Sequence, residues 1–127
     1  MSNQRLVFVV DDDLALLKSL ARLLKHLGYT SVLFPSAEAF SNHGDFDAAL
    51  CVLLDIDLGE ISGIELRHRL KAANVSVPVI YMTGNDNPHV RDAALRSGCV
   101  AYLTKPFSAA ALAEKLRQAG GAHAVDA

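Results

Sequence analysis

At 127 residues the chain is long enough to bury one core and too short for two domains of ordinary size. Hydrophobic residues at 51% against 20% charged exclude a disordered chain. Twelve basic against fourteen acidic side chains give a formal net charge of -2, which excludes a broad electrostatic footprint for nucleic acid or for an anionic membrane.

The first apolar run, residues 6–10, is nearly unbroken, as expected of a strand covered on both faces. Leu14, Leu17, Leu20, Ala21, Leu24 and Leu27 then recur at helical spacing, with Asp13 as N-cap and Gly28 after the last turn. Residues 30–34 read as a shorter, more mixed strand near an edge, and Ser36 opens a short helix. Residues 48–54 form the second unbroken run. Ser62 with Glu65 has the form of a capping box and starts a third helix. Residues 77–82 are a third central strand, with Pro78 tolerated at its start. Pro88 opens a fourth helix that Gly98 ends, residues 100–104 are a second edge strand, and Ser108 caps a fifth helix. Beyond Ala119, Gly120-Gly121 and a run of small residues show no period, so the expected division is a domain over 1–119 and a flexible tail over 120–127. Cys51 and Cys99 lie in apolar surroundings without metal-ligand spacing. No signal peptide or spanning segment is read, and a reducing cytoplasm is the expected location.

This βα alternation is the rhythm of a mostly parallel sheet, in which ligands bind at the carboxyl ends of the strands. The residues that end the strands are therefore the informative ones. They are Asp11-Asp12-Asp13, Asp55-Ile56-Asp57, Thr83-Gly84 and Lys105-Pro106. Carboxylates gathered about 5 Å apart repel by roughly 3 kcal/mol per pair at an effective dielectric near 20, so such a rim calls for a cation. Oxygen ligands without His or Cys select a hard ion, and Mg²⁺ suits an open rim better than an all-protein calcium cage.

An acidic pair after strand one, an Asp after strand three, a Thr after strand four and Lys-Pro after strand five resemble the receiver domains of two-component response regulators. The resemblance runs from Arg5 to Ala119. It implies an α/β flavodoxin-like fold, a doubly wound five-stranded parallel sheet of order 2-1-3-4-5 with five helices. It implies that Asp55 is a phosphoacceptor, that Asp12, the Asp55 carboxylate and the Asp57 backbone carbonyl ligate Mg²⁺, and that Asp11 acts largely through a bound water. Thr83 and Lys105 would hold the phosphoryl oxygens, Tyr102 would be an aromatic switch residue, and the Lys105-Pro106 bond would be cis. The implied partners are a sensor histidine kinase or histidine phosphotransfer protein, and a downstream protein or output domain. A phosphorylation-dependent homodimer through the fourth helix, fifth strand and fifth helix is also implied, without direct contact to nucleic acid or membrane. Such a protein turns over no external substrate; phosphoryl transfer to itself and autodephosphorylation are its only chemistry.

The chain departs from the family pattern at Leu58-Gly59, where many receivers have a Met-Pro or Leu-Pro pair, and Gly59 is expected to loosen that loop. Asp57 and Asn85 lie two residues beyond Asp55 and Thr83, where the resemblance implies that they border the path of an attacking water and set the lifetime of the phosphorylated state. Taken singly, each motif has a plainer reading: an N-cap, a polar turn, a solvated lysine, an edge-strand aromatic. The joint arrangement outweighs these. A haloacid-dehalogenase-like phosphatase using Asp55 is the rival in another class, but in that family the nucleophile motif usually lies on the first strand with the acidic pair later. A receiver-like module that is never phosphorylated is disfavoured by the intact Asp12, Asp55, Thr83 and Lys105 set. A nucleotide-binding flavodoxin-like protein lacks its glycine-rich phosphate loop here. The five histidines are scattered and are assigned no role.

Overall fold

The computed structural model describes residues 3–126, with side chains described from Arg5 to Gly121. Strands β1 (Asn3–Val10), β2 (Thr30–Phe34), β3 (Ala49–Asp55), β4 (Val79–Thr83) and β5 (Ala101–Thr104) alternate with helices α1 (Leu14–His26), α2 (Ala37–His43), α3 (Gly63–Ala72), α4 (Pro88–Arg96) and α5 (Ala109–Asp126). All neighbouring strands are parallel and run in the order β2-β1-β3-β4-β5. The three apolar runs are the central strands, and every residue of β3 and β4 is buried.

Side chains alternate along each strand, so the sheet feeds two cores. On one face Val7, Val9, Leu53, Ile80 and Met82 meet Leu17, Leu20 and Leu24 of α1 and Leu112, Leu116 and Ala119 of α5. On the other, Phe8, Leu54, Val79 and Tyr81 meet Phe40 of α2, Leu66 and Leu70 of α3, and Ala94 of α4. Phe8, Phe34 and Phe40 pack edge to face there, with centroids 5.5, 5.8 and 5.1 Å apart.

The helix starts follow the caps in the sequence. Asp13 accepts from the Ala15 and Leu16 N–H groups, Ser36 from Ala39, Ser62 from Glu65, and Ser108 from Ala111. Asn87 caps α4 by accepting from Val90, with Pro88 beginning the helix. Two features differ from the expected elements. A 3₁₀ turn, Phe46–Ala48, precedes β3, and α5 passes through Gly120-Gly121 to Asp126 instead of ending at Ala119. Paired glycines weaken a helix without forbidding it, so composition alone ends this one too early. Cys51 is buried, and burial pushes its thiol up to about 12, whereas Cys99 is only half-buried. Among the described residues no helix is long and apolar enough to cross a membrane.

Candidate functional site

The strand order reverses between β1 and β3, and the ends of these two neighbours bring Asp11, Asp12 and Asp55 together. One carboxylate oxygen from each lies within 4.8 Å of the others. Asp11 and Asp55 are buried, at 0% and 3% exposed, whereas Asp12 faces solvent. Each buried carboxylate is fixed by the chain just beyond it. The Asp13 N–H donates to Asp11 Oδ1 at 2.9 Å, and the Asp57 N–H to Asp55 Oδ1 at 3.1 Å.

Lys105, brought in from the end of β5 across a cis Lys105–Pro106 bond, supplies the positive charge. Its Nζ donates to Asp11 Oδ2 at 2.8 Å and lies 3.4 Å from Asp55 Oδ2. One ammonium thus serves two buried acids. Burial dominates at Asp55 and pushes its carboxyl up to about 7; the Asp57 N–H and Lys105 pull it down, and Asp11 adds to the rise. Burial opposes the Lys105 charge as well, but the Asp11 hydrogen bond and the two carboxylates outweigh it and raise its pKa. This rim has excess negative charge and three oxygen donors facing one another, which fits a hard divalent cation.

Thr83, fully buried at the end of β4, donates its hydroxyl to Asp57 Oδ2 at 3.3 Å and accepts the Asn85 N–H at 3.0 Å. The side chain of Asp57 therefore has a use of its own. Gly59 takes φ +89°, a conformation that side chains rarely adopt, and an isolated bridge joins Asp57 to Ser62 on either side of it. The loop thus needs this glycine for its path, whatever looseness the sequence suggests. Gly63 begins α3 against the back of the site, where an added Cβ would meet the Asp55 carbonyl oxygen at 2.3 Å.

Tyr102 stands apart, on β5 beside α4. Its hydroxyl donates to Asp86 Oδ1 at 3.1 Å, and the Arg91 guanidinium lies 5.5 Å from its ring centroid. Sequence reasoning brought Asp11, Asp12, Asp55, Thr83 and Lys105 to one rim, and the structure places them there. It passed over Gly63 and Asp86, although a glycine directly after the Ser62 cap is a detectable signal of close helix–strand approach.

The family model for the response regulator receiver domain matches residues 7–117. The chain is 31% identical over 113 residues to the response regulator protein TodT of Pseudomonas putida, covering 89% of this chain and 50% of that protein. It is 35% identical over 107 residues to the transcriptional regulatory protein FixJ of Bradyrhizobium diazoefficiens, covering 84% and 52%. The chain thus spans about half the length of these curated relatives. Among solved structures, FixJ-N superposes with a TM-score of 0.85 at 28% identity, covering 95% of this chain and 96% of that one. A CheY-like receiver domain from Methanospirillum hungatei superposes with a TM-score of 0.86 at 25% identity, covering 97% and 98%.

Proposed function

The chain belongs to the response regulator receiver domain family, and from that premise we propose that Asp55 accepts a phosphoryl group in a Mg²⁺-dependent reaction. The observation that carries this reading is the pairing of a buried, underneutralised Asp55 with Lys105 at 3.4 Å, beside two further carboxylates. Asp12, the Asp55 carboxylate and the Asp57 backbone carbonyl would hold the metal, with Asp11 acting through a bound water. When bound, the cation supplies charge neutralisation for the transferring phosphoryl oxygens.

The chain's own residues provide the rest. Asp55 presents a carboxylate oxygen as nucleophile, held in line by the Asp57 N–H on its other oxygen. Lys105 lies close enough to balance charge that builds on the phosphoryl group. Thr83 turns its hydroxyl from Asp57 to a phosphoryl oxygen, and this displacement passes to Tyr102 and the α4–β5–α5 face. Asp57 and Asn85 adjoin that hydroxyl and set how long the acyl phosphate survives. The donor is a sensor histidine kinase or histidine phosphotransfer protein, and the recipient a downstream protein, an output domain or a second copy of the chain.

Incubation with acetyl phosphate and Mg²⁺, followed by intact mass, tests the reading. A single phosphoryl adduct that disappears with chelator and in Asp55→Asn is expected. Continuous turnover of a generic phosphatase substrate without an adduct would favour a hydrolase instead.

A further inference from the structure

The two ends of α4 are held in unlike ways. At its start, Asp86 accepts the Tyr102 hydroxyl on one oxygen and the Arg91 guanidinium on the other, at 3.1 and 2.6 Å. These are solvated groups: the Arg91 and Asp86 side chains are 54% and 32% exposed. Breaking the latch returns both charges to water, so it holds weakly.

At the far end, Ser97 is 1% exposed and donates its hydroxyl to the Ala94 carbonyl at 2.7 Å. That uses the only hydroxyl proton of Ser97, so the 2.6 Å contact with Tyr81 has the buried tyrosine as donor. Two cations from α3 close over the same turn. Lys71 Nζ donates to the Ser97 carbonyl at 3.2 Å, and Arg67 Nη2 to that of Gly98 at 3.4 Å. Arg67 is 8% exposed, its Nε finds no partner among the described residues, and its other amino group reaches only the Val77 carbonyl, at 3.5 Å. Arg67, Tyr81 and Ser97 are buried, so water does not stand ready to replace the Tyr81–Ser97 contact, whereas Lys71 adds its tether from the exposed side; the helix dipole favours cations at this end. Between the ends, Ala94 is the buried residue of α4.

We propose that Arg67, Lys71, Tyr81 and Ser97 form a fulcrum, about which the Asn87 end of α4 swings when Thr83 moves. The Asn85 N–H, bonded to the Thr83 hydroxyl, leads directly into that end. The swing draws Asp86 and Arg91 away from Tyr102 while Ser97 stays in place. The proposal rests on the reading of Asp55 and Thr83 given above.

Amide hydrogen exchange of the whole chain, with and without beryllofluoride and Mg²⁺, resolves the two ends. Exchange over residues 85–91 should change by about fivefold, the ratio that an ordinary surface ion pair carries at its upper limit, while residues 94–99 stay unchanged. In Lys71→Met/Tyr81→Phe, which keeps the ring and removes the two tethers, the change should spread into 94–99. Equal change at both ends in the parent protein, or an unaltered pattern in the double variant, would overturn the fulcrum. Binding of beryllofluoride is read separately from its fluorine resonance. Its absence would overturn the Asp55 reading, and the fulcrum with it.

Discussion

Thr83 donates its hydroxyl to Asp57, Oγ1 to Oδ2 at 3.3 Å, so the hydroxyl at the end of β4 is engaged before any phosphoryl group is present. A phosphoryl oxygen that recruits this hydroxyl must draw it away from a carboxylate two residues beyond the phosphoacceptor.

Replacing Asp57 by Ala removes that competing acceptor and keeps the backbone carbonyl. One hydrogen bond of about 1 kcal/mol corresponds to roughly fivefold, so the phosphoryl adduct of Asp57→Ala should decay about five times more slowly. Intact mass followed after removal of acetyl phosphate gives the rate, and decay at the parent rate would count against the competition.

Gly63→Ala sets a methyl group 2.3 Å from the Asp55 carbonyl oxygen, a distance that forces the start of α3 away from β3. Overpacking of this kind should cost about 2–3 kcal/mol in chemical denaturation. The displaced backbone carries Asp55 with it, so adduct formation should also slow.

The raised Asp55 pKa gives stability a pH dependence in the presence of chelator. The unfolded chain ionises near the ordinary 3.8 and the folded one at about 7, so the folded state holds the proton more tightly. The stability this contributes is fully present below the lower value and is lost as pH rises through the upper one. Asp55→Asn should therefore match the parent near about pH 4 and exceed it by on the order of 1–2 kcal/mol by about pH 8. Added Mg²⁺ should close that gap. A parent protein whose thermal midpoint does not fall relative to Asp55→Asn across this range would contradict the burial argument.

Arg67 is a buried cation facing carbonyl dipoles, with no carboxylate ion-paired to it among the described residues. Replacing such a charge by an apolar chain of similar length is close to neutral. Arg67→Met should therefore unfold within about 1 kcal/mol of the parent in urea, whereas Arg67→Ala, which leaves a cavity, should lose about 2–3 kcal/mol.

The parts of the molecule legible in the sequence are those in which local pattern and topology coincide. Parallel strands buried on both faces read as apolar runs, and the polar residues that stop them mark one rim, so Asp11, Asp12, Asp55, Thr83 and Lys105 could be gathered before any geometry was seen. The N-caps at Asp13, Ser36, Ser62 and Ser108 were equally local. Other features depend on which elements meet in space. Arg67 carries no sign in the sequence that α3 will close over the end of α4. Asp86 reads as a turn residue until β5 brings Tyr102 beside it. The destination of the Asp57 side chain is likewise invisible until β4 is paired with β3. Gly120-Gly121 lie within α5, since glycine lowers helix propensity without deciding the outcome.

Ala94 is the residue that α4 commits to the interior, whereas α2 is tied to the sheet through Phe40 and a set of rings packed edge to face. Exposed positions on a helix usually tolerate exchange within about 0.5 kcal/mol, and Leu95, at 59% exposed, lies on the outer surface of α4. The outer surface of α4 can therefore be rewritten over evolutionary time without disturbing the scaffold. A lineage built on this arrangement can change that outer face while its acidic rim and both cores stay as they are.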